Sequence, residues 1–171
     1  MTVCLDTNVF LQMFGRKQAF YPILRALLDG SFVLAVSTEI LLEYEEITVN
    51  LSGVERWRDM VAFLELLNQL HGNVRLIEPH FRFGVIVADP DDNKFCDCAI
   101  AADSDFIVTE DGHFGALKSA WLQATTRHAG RIYPPSFVFK FIIAPILVYR
   151  TEAQRWDVFA KLLYQISSLP R

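Results

Sequence analysis

Between Ala88 and Phe114 the chain runs ADPDDNKFCDCAIAADSDFIVTEDGHF, and no other stretch narrows the possible folds as much. It reads as an acidic loop, a short helix of small residues, an apolar strand, and an acid just past the end of that strand. Asp89, Asp91 and Asp92 precede apolar positions at helical spacing, Cys96, Ala99 and Ala102/Asp103. Asp92 is a residue type that caps helix starts, so the helix is expected to begin there. Phe106-Ile107-Val108 is a β-prone run bounded by Ser104-Asp105 and by Thr109-Glu110-Asp111-Gly112. In an open α/β sheet the carboxyl ends of the strands and the starts of the following helices line one crevice, where ligands bind. Asp92 and Asp111 are therefore expected to share a crevice, and carboxylates gathered there call for a cation.

The rest of the chain repeats that alternation. Thr2-Val3-Cys4-Leu5 is a short strand, expected to be central, that ends on Asp6-Thr7-Asn8. Thr7 and Asn8 suit the cap of a helix running through Val9, Phe10, Leu11 and Phe14; on its own, Asp6 has a plain alternative reading as a cap residue. Tyr21 to Leu28 makes a second helical piece ending near Asp29-Gly30. Phe32 to Val36, FVLAV, is apolar throughout, as a parallel strand covered on both faces should be. Ser37 and Thr38 cap the next helix, Glu39 to Val49, with Ile40, Leu41, Tyr44 and Ile47 toward the core. Glu39, Glu43 and Glu46 share another face of it. Glu43 lies about one turn in, near enough to reach the crevice, while Glu39 and Glu46 are expected at the surface.

Val54 to Gln69 is a long amphipathic helix, Val74 to Ile77 a strand or extended link, and Phe81 to Val87 a short helix or strand leading into the acidic loop. Beyond Asp111 the expectation is a weak helix through Leu117 and Trp121, then a polar loop from Gln123 to Gly130. A strand at Ile132-Tyr133, a helix from Ser136 to Phe141 and an amphipathic tail helix from Thr151 to Leu169 complete the reading. His113 follows the last acid as a loop histidine.

At 171 residues the chain is expected to be one domain with a real core. No apolar run reaches the roughly 18 residues of a membrane span, and an early Asp6 without a basic leader argues against a signal peptide. Cys4, Cys96 and Cys98 match neither a disulfide framework nor a zinc spacing, which points to a reducing cytoplasm. No glycine-rich dinucleotide or P-loop fingerprint occurs. The net charge of −4 is unfavourable for a nucleic-acid binder taken globally, but the clustered acids supply most of it, and a bound divalent ion would reverse the sign locally.

The order of the acids is more informative than any one of them. Asp6 follows strand one, Glu43 sits on the helix after strand two, Asp92 opens a late helix, and Asp111 follows the next strand. Converging without basic partners, the four would repel, and burial would raise their pKa values. A pair of hard cations roughly 3.5–4 Å apart would remove the conflict and suit in-line phosphodiester hydrolysis. Oxygen ligands favour Mg²⁺ or Mn²⁺ over zinc.

Leu5-Asp6-Thr7-Asn8, Ser37 with Glu43, Asp89-Pro90-Asp91-Asp92 with Ala99, and Val108-Thr109-Glu110-Asp111 together resemble the PIN domain. The likeness is to the bacterial VapC-like group of toxin–antitoxin systems, and it covers about Met1 to Phe141. The resemblance implies a three-layer α/β/α sandwich around a mainly parallel sheet, with a metal-dependent ribonuclease site. Asp6, Glu43, Asp92 and Asp111 match the family's acidic positions, and Thr7, Asn8, Ser37 and Thr109 its supporting polar ones. It implies a nuclease domain over residues 1–141, and residues 142–171 have no clear match and read as a helical extension. Asp97, an extra acid on the late helix, is turned about 140° from Asp92 at 100° per residue, and would join the site only if the helix started later.

The function expected is a Mg²⁺- or Mn²⁺-dependent endoribonuclease, with RNA as substrate and an antitoxin protein as partner if it is a toxin. Arg16, Lys17, Lys94 and Lys118 are the basic residues that position offers for an RNA-steering rim. A homodimer is the oligomer suggested by the apolar faces of the tail and the Val54–Gln69 helix. The rival is a non-catalytic PIN-like module that binds RNA or protein. An aspartyl phosphatase centred on Asp6 is disfavoured, because the second aspartate it needs two residues on is Asn8.

Overall fold

The computed structural model describes residues 1–15, 20–115 and 142–143. In chain order it contains β1 (Thr2–Leu5), α1 (Thr7–Met13), α2 (Tyr21–Leu28), β2 (Val33–Ser37), α3 (Thr38–Ser52), α4 (Val54–His71) and β3 (Val74–Ile77). A 3₁₀ turn at Pro90–Asp92 leads into α5 (Asn93–Ala101), followed by β4 (Phe106–Thr109), a second 3₁₀ turn at Gly112–Gly115, and β5 (Ile142–Ile143). The strands form one sheet in the order β3-β2-β1-β4-β5, with every pairing parallel. This is an α/β/α sandwich around a parallel sheet.

From β1 the chain moves outward through β2 to β3, then returns to the other side of β1 to lay down β4. With right-handed crossovers, that reversal puts α1 to α4 over one face, where α1 packs on α2 and α3 and α3 packs on α4, and α5 over the other, against β1, β2 and β4. The reversal lies between β1 and β4, so their carboxyl ends border the crevice that a reversal of strand order opens.

Burial follows the apolar runs. Cys4, Leu5, Leu34, Ala35, Ile107 and Val108 are buried from both faces. Under the helical layer Phe10 stacks flat on Tyr44, with ring centroids 3.9 Å apart and planes 4° from parallel, and meets Phe14 edge-on at 5.4 Å. The buried Tyr44 hydroxyl donates to the Leu5 carbonyl at 2.6 Å, which ties α3 to the end of β1. Tyr44→Phe leaves that carbonyl without the phenol, so it should lower unfolding free energy by about 1–2 kcal/mol in denaturant titration.

Strand and helix positions follow the sequence expectation closely, with a few differences. α3 and α4 run on to Ser52 and His71 and stop at Gly53 and Gly72, the latter left-handed at φ +60°. On α3 the core face is Ile40, Tyr44 and Thr48, with Leu41 and Ile47 half-buried. Residues 81–87 are neither helix nor strand. Side chains of α5 hold two points of this backbone: Asp97 Oδ1 accepts from Phe83 N–H at 2.9 Å, and the Asn93 amide accepts from Ile86 N–H and donates to its carbonyl, both at 2.8 Å. The helices and strand expected between residues 116 and 141, and the tail helix, lie outside the described residues. Cys4, Cys96 and Cys98 are buried free thiols. Among the described residues no helix is long and apolar enough to cross a membrane.

Candidate metal centre

Asp6 leaves β1 at the level where Thr109 ends β4, because Leu5 is in register with Val108 and Asp6 N–H donates to the Val108 carbonyl at 3.0 Å. The Thr109 hydroxyl donates to Asp6 Oδ2 at 2.7 Å and accepts from Asp111 N–H at 2.8 Å. One buried hydroxyl thus fixes the rotamer of the first acid and the backbone of the last. Asp6 occupies the N-cap position of α1 without making a side-chain cap bond, so its carboxylate is directed to the crevice rather than to the helix.

Thr7 and Glu43 form the adjoining edge. The Thr7 hydroxyl donates to Glu43 Oε1 at 2.6 Å, and Lys94 Nζ lies 2.5 Å from Glu43 Oε2. Oε2 is buried and finds no partner of hydrogen-bond geometry, yet at this separation the ammonium is its counter-ion. Ser37 caps α3, its hydroxyl accepting from Ile40 N–H at 3.3 Å; it aims the helix that carries Glu43 and does not itself enter the cluster.

Asp92 sits where the 3₁₀ turn passes into α5, one residue before the helix proper, and its carboxylate makes no cap bond. Asn93 performs the local tethering, donating to the carbonyls of Ile86 at 2.8 Å and Pro90 at 3.0 Å. The buried Asp92 Oδ2 has no hydrogen-bond donor; its nearest basic atom is His113 Nδ1 at 3.7 Å. His113 is held by its own turn, with its N–H donating to Asp111 Oδ1 at 2.8 Å and its Nδ1 lying 3.2 Å from the same oxygen. Asp89, Asp92 and His113 each offer a ligand atom within 4.8 Å of the others.

The electrostatics are those of carboxylates short of positive charge. Burial pushes the Asp6 carboxyl above its usual range, and the charges of Glu43 and Asp111 add to this, while Thr109 and the Thr7 N–H pull it back. Asp92 is raised to about 6, first by burial and then by Asp111, Asp89 and Asp6, with His113 opposing. The donor set of carboxylate oxygens and one imidazole fits a divalent cation of the Mg²⁺–Mn²⁺ type, the nitrogen favouring Mn²⁺. The orphaned Asp92 Oδ2 is the kind of atom such an ion would satisfy.

Two consequences are measurable. Ligand carboxylates must be ionised to bind metal, so Mn²⁺ affinity measured by calorimetry should climb as pH rises through about 6 and then level off. In the metal-free protein the raised folded-state pKa means that Asp92 stabilises least when ionised: stability is lost as pH rises from its unfolded value of 3.8 to about 6. Asp92→Asn should therefore raise the chelator-treated melting temperature at neutral pH by roughly 2–4 °C. That corresponds to about 1 kcal/mol once the shift is discounted for nearby solvent.

Asp6, Thr7, Glu43, Asp92, Thr109 and Asp111 are thus gathered at one crevice, while Asp97 is not. Asn8 is exposed. Asp97 is fully buried on the far side of α5, bonded to Phe83 N–H and 3.7 Å from Arg82. There it borders a separate groove of about 550 Å³ with Leu76, Pro79, Phe81 and Ile100, whose lining includes Glu78 but none of the crevice acids. Arg82 also pairs with Glu39. Of the basic residues expected at the rim, Lys94 is inside the cluster, and Arg16, Lys17 and Lys118 lie outside the described residues. Asp89 and His113 were not among the expected ligands. The Asp111-Gly112-His113 spacing, in which an aspartate turns the chain back on itself, is the one local signal for the histidine.

The sequence matches the family model of the PIN domain over residues 2–113. Among solved structures, the chain is similar to one in VapBC2 from Rickettsia felis, bound to a DNA fragment from their promoter. The identity is 16%, with 70% of this chain and 92% of that one covered and a TM-score of 0.46. It is likewise similar to one in FitAcB from Neisseria gonorrhoeae, at 18% identity, 68% and 93% coverage and a TM-score of 0.46. No curated protein matches it. With the matched region spanning the strand ends and all the gathered acids, this chain belongs to the PIN domain family.

Proposed function

We propose that the protein is a metal-dependent endoribonuclease that hydrolyses RNA phosphodiester bonds at the crevice between β1 and β4. The observation that carries the reading is the gathering of Asp6, Glu43, Asp92 and Asp111 where the strand order reverses, with the Asp92 Oδ2 atom buried and lacking a donor. Asp6, Asp92 and Asp111 would hold the ion, with Asp89 and His113 at its edge. Mg²⁺ or Mn²⁺ bound there supplies Lewis acidity, polarising the phosphoryl group and making water a competent nucleophile near neutral pH.

The chain's own residues orient and exclude. Thr109 holds Asp6 and the Asp111 backbone in one geometry, and Thr7 holds Glu43. Thr109→Val would leave Asp6 Oδ2 without its donor. Mn²⁺ affinity should then fall about 10–100-fold, as when a ligand's supporting bond is lost, whereas Thr109→Ser should recover most of it. Calorimetric titration of both variants checks this.

The family resemblance extends the proposal to the toxin of a toxin–antitoxin pair acting in the cytoplasm, its antitoxin covering the acidic crevice with a basic side chain. The test of the nuclease reading is Mn²⁺ binding and cleavage of a mixed RNA pool by the full chain, with and without chelator. Cleavage that needs the metal supports it. A protein that binds no metal would instead be a module that binds RNA or protein without cutting.

A further inference from the structure

Lys94 is the one lysine or arginine among the described residues that pairs with a crevice acid. Its side chain is only 20% exposed, and its Nζ lies 2.5 Å from Glu43 Oε2. Glu43 Oε1 accepts from the Thr7 hydroxyl at 2.6 Å, so one carboxylate oxygen is hydrogen-bonded and the other, which has no hydrogen-bond donor, is ion-paired within this chain. A cation at Glu43 would have to displace the ammonium. On the other side of Asp6, among the described residues, no lysine or arginine pairs with an acid. Asp92 Oδ2 is buried without a donor, and Asp89, Asp92 and His113 bring ligand atoms within 4.8 Å of one another.

The two sides are separated by helix geometry. Asp92 and Lys94 are two residues apart at the start of α5, hence about 200° apart around the helix axis at 3.6 residues per turn. The same helix start therefore sends a carboxylate without a hydrogen-bond donor toward Asp111 and His113, and a positive charge toward Glu43.

We infer that the Lys94 ammonium takes the place of the second cation, so that the crevice binds a single divalent ion on the side of Asp6, Asp92 and Asp111, with Asp89 and His113 at its edge, and Lys94 is a positioning residue for Glu43. The inference rests on the metal-dependent reading above and departs from the expectation of two ions.

Mn²⁺ titrated into the full chain by calorimetry, with the bound ion followed by electron paramagnetic resonance, tests it. The wild type and Lys94→Arg should each bind one ion and show an isolated Mn²⁺ signal. Lys94→Met, which keeps the apolar stem and removes the charge, should bind a second ion and show the spin-coupled signal of a neighbouring pair. Two ions in the wild type would overturn the inference and leave the nuclease reading standing, as would one ion in Lys94→Met of unaltered melting behaviour. No bound ion in the wild type would overturn both. Should Lys94→Met fail to fold, the counts for the wild type and Lys94→Arg still decide, since two ions in either would refute the substitution of ammonium for metal.

Discussion

Asp6→Asn is expected to reduce metal-dependent RNA cleavage at least about 100-fold, close to 2.7 kcal/mol of lost transition-state stabilisation. The amide matches the carboxylate in size. Its oxygen can still accept from Thr109, which holds Oδ2 at 2.7 Å, so the backbone of β1 and β4 has no reason to shift. What changes is the face toward the crevice, where an –NH₂ that donates replaces an oxygen that ligates. Mn²⁺ affinity should fall with activity.

The stability of the same variant separates a metal role from a structural one. Burial, followed by the charges of Glu43 and Asp111, raises the Asp6 pKa in the folded protein. Its ionisation therefore costs stability as pH climbs above the unfolded value of 3.8, and asparagine is free of that penalty. Chelator-treated Asp6→Asn should melt at or above the wild-type temperature at neutral pH. Saturating Mn²⁺ should raise the wild-type melting temperature and hardly move the variant, because a ligand stabilises only in proportion to its affinity for the folded state. A variant that keeps cleavage would refute the assignment. One that melts well below the wild type without metal would make Asp6 a structural residue.

Phe10→Ala is expected to cost about 3–5 kcal/mol of unfolding free energy, the usual loss for a fully buried phenylalanine. Phe10 is inaccessible to solvent, and its ring covers Tyr44 face to face at 3.9 Å. Tyr44 cannot collapse into the space, since its hydroxyl is held by the Leu5 carbonyl at 2.6 Å. The void would therefore persist between α1 and α3. Those helices carry Thr7 and Glu43, whose hydrogen bond closes one edge of the crevice, so a change made under the sheet should also loosen the site. Denaturant titration of the metal-free protein measures the loss, and Phe10→Leu should recover most of it, because a volume-conserving apolar exchange usually costs under about 1.5 kcal/mol. A loss below about 1 kcal/mol in Phe10→Ala would mean that α1 and α3 close over the gap and that Tyr44 is not fixed as the contacts imply.

Much of this architecture was legible in the residues because it depends on local pattern. Wholly apolar runs such as Val33–Val36 specify strands covered on both faces, and Tyr21–Leu28 carries the period of a helix packed on one side. Acids placed directly after strands, at Asp6 and Asp111, point to the carboxyl ends of a parallel sheet whichever way the helices turn. The half-turn that sends Asp97 away from Asp92 also follows from helical period alone.

What local pattern does not encode is which side-chain atoms meet across elements far apart in sequence. That Thr109 bridges Asp6 and Asp111 depends on the register of β1 against β4. That Lys94 meets Glu43, rather than solvent, depends on how α5 is rotated where its start nears α3. Residues 81–87 could be read as helix or strand because their composition suits both. They are neither, and Asp97 and Asn93 on α5 take the Phe83 N–H and both Ile86 backbone groups that a strand would otherwise pair. The sequence by itself therefore determined the elements and the end of the sheet at which acids collect. Tertiary structure alone decided which acids are left without a positive partner, since that depends on ångström-scale contacts between α3, α5 and the turn after β4, which no periodicity records.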